Sequence, residues 1–200
     1  ITRSGVAGSH AYSVAPAFVD RPVNFVSWGD AARFANWLHN GRPVGLQDAS
    51  TTEDGAYDLA ATHPYFNPDG SVNDWDGLSA ALTAVYRNSN WKWAIASEDE
   101  WYKAAYHKND GVTGSYWCYP TSSNSAPGRD LNDLSGNNAN YYGSPFPIDP
   151  PYYTTVVGRF QNSDGPYGTF DQGGNVWEWN EAVIEDAAGP CRGLRGGSFG

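Results

Sequence analysis

The stretch Gly168–Asn180, GTFDQGGNVWEWN, holds two tryptophans, one glutamate, two asparagines and three glycines in thirteen positions. Fifteen residues later comes Arg195–Phe199, RGGSF. No helical or strand period explains that order. Tryptophans two apart put both rings on one side of an extended segment and the intervening Glu178 carboxylate on the other. Gly173 and Gly174 let the backbone turn through conformations closed to other residues. Such a segment turns sharply, buries aromatics and holds a carboxylate and carbonyls near one point.

The rest of the composition says what can position that turn. A chain of 200 residues and 21.7 kDa suits one domain with a proper core, so the sequence reads as a single domain over 1–200. An aromatic fraction of 15% excludes a disordered chain, and 23 Gly with 13 Pro exclude a helical bundle. A net charge of −10 leaves no basic face for nucleic acid or an anionic membrane. No apolar run reaches the ~20 residues of a membrane-spanning helix. Cys118 and Cys191 either pair as one long-range disulfide or stay as two buried thiols, and their spacing excludes a CxxC zinc site.

Two helices are expected. Ser27 caps the first, Asp30 closes a capping box, and Trp28, Ala31, Ala32, Ala35 and Leu38 recur at helical spacing before Asn40-Gly41. Ser97-Glu-Asp-Glu100 opens the second, with Trp101, Ala104, Ala105 and Tyr106 facing inward and cations towards its end. Short strands are expected at Pro22–Val26, Trp91–Ala96, Ser115–Tyr119, Thr154–Phe160, Asn175–Trp179 and Arg192–Phe199. The long tracts 42–75 and 120–152 are loops of a length that is generally functional or held by ions or partners.

Four segments in order, VNFVSWGDAARFANWL, WAIASEDEWYKAAY, GTFDQGGNVWEWN and RGLRGGSF, resemble the formylglycine-generating enzyme or sulfatase-modifying-factor family. They span Pro22–Phe199, about nine-tenths of the chain. The resemblance implies an α+β fold, a C-type-lectin-like variant with two helices, a small twisted antiparallel sheet and much irregular chain. Ile95-Ala96-Ser97 departs from the family's leucine-proline-threonine but keeps the cap hydroxyl. The redox cysteine pair of the oxidase members lies downstream of R-G-G-S, beyond Gly200. Cys118 and Cys191 do not fill that role. A strand ending at Gly200 would be an unpaired edge, so the expectation is a domain lacking N-terminal and C-terminal parts.

The resemblance also implies calcium. One site would take the side chains of Asp171 and Glu178 with the carbonyls of Gly174 and Val176. A second would take Asn140 and the Tyr141 carbonyl with Asp149 and the Pro151 carbonyl. Trp28, Trp101, Trp177 and Trp179 are expected in the core, and Arg192 and Arg195 beside acidic neighbours. The four histidines show no ligand spacing, and no catalytic residue is assigned. The expected function is an extracytoplasmic, calcium-stabilised module, non-catalytic, that binds a protein or glycan or builds a homo-oligomer or larger assembly. The alternative is an oxidase that uses copper, on cysteines outside this chain, to turn a sulfatase cysteine into formylglycine.

Overall fold

The computed structural model describes residues 1–6, 9–112, 114–187 and 189–200. It is α+β, with three α-helices, two short 3-10 helices (Pro16–Phe18 and Ala60–Tyr65) and two two-stranded sheets among these residues. Strands β1 (Thr2–Val6) and β2 (Ser9–Ser13) pair antiparallel. Helices follow as α1 (Trp28–His39), α2 (Trp75–Thr83) and α3 (Glu98–Tyr106), and β3 (Glu178–Asp186) pairs with β4 (Gly189–Arg195). The chain divides into two compact units, each described by itself: Ile1–Asn24 with Glu98–Glu178 and Leu194–Gly200, and Phe25–Ser97 with Trp179–Gly193.

In the unit built on Phe25–Ser97, α1 starts as its sequence requires. The Ser27 hydroxyl accepts from the Asp30 N–H, and the Asp30 carboxylate accepts from the Ser27 N–H. Trp28, Ala32 and Ala35 then bury against Ala56, Tyr57, Leu59 and Val85, the core of this unit. Asn36, fully buried on the same face, donates to the Thr52 and Tyr57 carbonyls and accepts from the Tyr57 N–H. That amide ties the helix to the 42–75 tract, which is thus ordered by its own hydrogen bonds. Asp48 adds to this: its carbonyl accepts from the N–H groups of Thr51, Thr52 and Glu53.

Helix α2 is an addition to the two helices expected. Asp74 caps it by accepting from the Gly77 N–H, and Leu78 is its buried residue. Arg192 reaches its far end. The guanidinium donates to the carbonyls of Leu82, Val85 and Glu181 and lies 3.9 Å from the centre of the Trp28 ring. Backbone oxygens rather than a carboxylate therefore receive Arg192. Beside it, Glu181 accepts from Arg87 at 2.8 Å and from the fully buried Tyr57 hydroxyl at 2.5 Å. Burial first, then the Glu181 charge, pushes the Tyr57 phenol far up, so it remains a donor at any physiological pH.

In the other unit, α3 buries Trp101 and Ala105, and long irregular chain is organised by buried asparagines. Asn138, Asn140 and Asn175 are each no more than 3% exposed. Asn175 accepts from the Thr155 N–H at 3.0 Å and its own N–H donates to the Asn140 carbonyl at 2.7 Å. Asparagine side chains carry both donor and acceptor, so they replace sheet ladders where the backbone is irregular.

Several expected strands are absent. Pro22–Val26, Trp91–Ala96 and Thr154–Phe160 are extended or bent chain without ladders, and Ser115–Tyr119 makes only single bridges, His107 with Tyr116 and Tyr119 with Ser123. Of Trp91–Ala96, Ala94 and Ile95 pack on the core and the Ile95 N–H donates to the Tyr57 hydroxyl at 2.9 Å, while Trp91 and Trp93, like Val23 and Phe25, are exposed. Asn175–Trp179 and Arg192–Phe199 contribute only their ends to β3 and β4.

Candidate functional site

The Asp171–Glu178 segment turns as the glycines allow. Asp171 and Asn175 adopt positive φ, at 59° and 62°, and Gly174 does so at 90°. A Cβ on Gly174 would lie 2.3 Å from the Asn140 carbonyl oxygen, so only glycine fits there. The turn is pinned on both sides. Gly174 donates to the Gly196 carbonyl at 2.7 Å, and Phe199 donates to the Asn175 carbonyl at 3.1 Å. The two motifs first noticed in the sequence are thus joined main chain to main chain.

Two carboxylates converge on this turn. Glu178 accepts a 2.6 Å bond from the indole N–H of Trp101, itself 4% exposed. Burial pushes the Glu178 carboxyl up, the Trp101 bond works against that, and the Asp171 charge adds to the rise. Burial likewise raises Asp171, opposed by a hydrogen bond from the Gly158 backbone. Two half-buried acids, the charge of Asp171 raising Glu178, are an arrangement that a hard cation relieves. Among the described residues, no hydrogen bond takes the carbonyl of Gly174 or Val176. Neither do three or more His, Cys, Asp or Glu side chains group to hold a metal there. A cation at Asp171 and Glu178 would therefore draw its remaining oxygens from carbonyls, a donor set that fits calcium.

The second set is placed differently. The Asn140 amide nitrogen donates to the Tyr153 carbonyl at 2.9 Å and to the Asn175 side chain at 3.3 Å. The Asp149 carboxylate accepts from Arg21 at 2.7 Å, and Arg21 also donates to the Thr154 carbonyl and stacks on Tyr152. Tyr141 turns its hydroxyl to the Pro127 carbonyl at 2.7 Å, and Pro151 follows a cis peptide bond after Pro150. Asn140 therefore stays with the Asp171–Glu178 turn while Asp149 is held by a guanidinium. Neither Arg21 nor Trp101 was singled out for a site from the sequence. The Arg21 partnership had no signal, since 128 residues separate the pair.

Other expected residues divide. Trp28 and Trp101 are core, and Trp179 is half-buried with its N–H on the Val26 carbonyl. Trp177, expected in the core, is instead 54% exposed: it precedes β3, which starts at Glu178, so no strand alternation carries its ring to the side of Trp179. Arg195 pairs with Glu98, Nε to Oε1 at 2.8 Å. Cys118 and Cys191 are free; Cys118 is exposed, and burial with the Asp186 and Glu185 charges raises the Cys191 thiol. In the unit of α1 and α2, a cleft of about 420 Å³ is lined by Trp28, Phe66, Trp75, Leu78, Leu82 and Trp179, among others.

A loop-built α+β domain whose glycine turn gathers two carboxylates is the class of protein these features define. The sequence matches the description "Sulfatase-modifying factor enzyme 1-like domain" (FGE-sulfatase) over residues 3–200, and the chain belongs to that family. Comparison with curated proteins and with solved structures returns no match. No described helix is long and apolar enough to cross a membrane.

Proposed function

We propose that this chain is a calcium-stabilised, extracytoplasmic sulfatase-modifying-factor-like module with a C-type-lectin-like fold and a binding or assembly role rather than a catalytic one. The observation that carries the calcium reading is the Asp171–Glu178 pair, two desolvated acids facing one turn. When bound, calcium neutralises both acids and cross-links the turn; the chain's own part is to fix the donors in place. Trp101 fixes Glu178, Gly158 fixes Asp171, and the Asn140 carbonyl fixes Asn175 between them. Calcium is abundant outside the cytoplasm, which fits an acidic module that depends on it.

The half-exposed, aromatic cleft beside α2 is of a size that takes a small ligand or a side chain of a partner, protein or glycan.

Family membership itself favours a second reading, an oxidase that converts a sulfatase cysteine to formylglycine on cysteines outside this chain. A peptide bearing Cys-x-Pro-x-Arg, incubated with copper-loaded protein, separates the two. The binding reading expects unchanged peptide mass. Loss of the thiol with gain of an aldehyde would replace it with the oxidase.

A further inference from the structure

In the unit that carries the carboxylate turn, two arginines meet carboxylates. Arg21 meets Asp149, and Arg195 meets Glu98. The Arg129 guanidinium is buried, and none of its three nitrogens finds a hydrogen-bond partner among the described residues. It lies over the Tyr141 ring, with the centroid 5.4 Å away. A buried charge with no counter-charge is unfavourable, so such a group points to a partner that completes it.

The surroundings argue for a site. The backbone on both sides of Arg129 is fixed: Gly128 donates to the Asn137 carbonyl and accepts from Ala139, and Asp130 donates to the Asn138 side chain. The guanidinium lies along Gly143, where a Cβ would come within 2.8 Å of Nη1. That glycine leaves room for the cation. The nearest carboxylates in sequence are turned away to their own loops: Asp130 accepts from the Asn132 N–H, and Asp133 from Ser135 and Asn138. The cover above Gly143 is thin. Tyr142 is 71% and Phe146 41% exposed, and a row of rings runs on from Phe146 to Tyr153 at 5.5 Å.

We propose that Arg129 anchors an oxyanion site beneath the 142–146 segment, taking a carboxylate or sulfate group, free or carried on a sugar. The guanidinium fork matches two oxygens of such a group, and exposed rings beside it suit the apolar face of a sugar. With a net charge of −10 the chain as a whole repels anions, so any binding must come from this local geometry rather than from the overall field.

The test uses the whole chain in thermal melts and fluorescence titrations with sodium sulfate and with glucuronate, against sodium chloride at equal ionic strength. The wild type should show a saturable rise in melting temperature. Arg129→Met should show none, and should melt higher than wild type in chloride, because the unpaired charge is gone. Should that variant not fold, Arg129→Lys keeps the charge without the fork and should bind about tenfold more weakly, the scale of one charge-assisted pair. Glucuronate binding tighter than sulfate, with the excess lost in Tyr142→Ala, identifies a sugar-borne group; equal binding identifies the free anion. No saturable shift in the wild type, or the same shift in wild type and Arg129 variants, overturns the proposal.

Discussion

Glu53 is the clearest example of a charge whose surroundings decide its worth. It is 4% exposed, and burial works to raise its carboxyl, but Arg33 by hydrogen bond and charge, then His63 and Thr52, outweigh burial and hold it below the usual value. A depressed pKa adds stability that is present above the unfolded value and is lost as pH falls through the folded one. Melting curves between neutral and acid pH should show that loss in wild type and a flatter profile in Glu53→Gln. The variant should also lose about 3 kcal/mol at neutral pH, since Arg33 would keep its charge with only the more distant Asp30, at 3.9 Å, to meet it. Asp171 and Glu178 carry the opposite sign. Their raised carboxyls make the metal-free fold lose stability as pH climbs above the ordinary carboxylate range. In EDTA, Glu178→Gln should remove part of that slope, and a slope unchanged by the substitution would contradict the coupling.

Each helix rests on a small number of polar contacts. Ser27→Ala removes one half of the α1 capping box and should cost about 1 kcal/mol in denaturant unfolding. Arg192 holds the end of α2 through the carbonyls of Leu82, in its last turn, and Val85, just after it, so Arg192→Lys should speed amide exchange in Trp75–Val85 first. Exchange raised equally across α1 would instead show a general loss of packing. These elements also show what the sequence made legible. Capping boxes and helical spacing act within four residues, so α1 and α3 could be read to within a residue. Helix α2 carries comparable local signals, Asp74 as cap and Leu78 with Leu82 at helical spacing, but it follows a tract whose Gly and Pro content reads as loop. The hairpin of β1 and β2 escaped because all ten of its residues are exposed, so no alternation of apolar and polar marks it. Conversely, aromatic and β-branched runs such as Trp91–Ala96 read as strands but serve as loop anchors, a choice made by tertiary contacts the sequence does not display.

At the scale of the molecule, the fold relies on irregular chain cross-linked by buried amides and by motif turns rather than on sheet. That economy places weight on the Asp171–Glu178 turn, which ties the GGNVWE segment to RGGSF through the Gly174 and Gly196 backbone. Of that site, the carboxylates and glycine were legible because their types and spacing form a family pattern. Trp101 as the partner of Glu178 was not, since 77 residues separate them and an inward tryptophan reads only as core. Trp101→Phe keeps the ring volume and removes the N–H. It should weaken calcium binding about tenfold while leaving the metal-free melting temperature close to wild type. The most direct measurement is calorimetric melting of wild type and the Asp171→Asn, Glu178→Gln double variant, in EDTA and in excess calcium. The account predicts a melting temperature that calcium raises, in proportion to the logarithm of its concentration, in wild type alone. A wild-type melting temperature unmoved by either EDTA or calcium would contradict it.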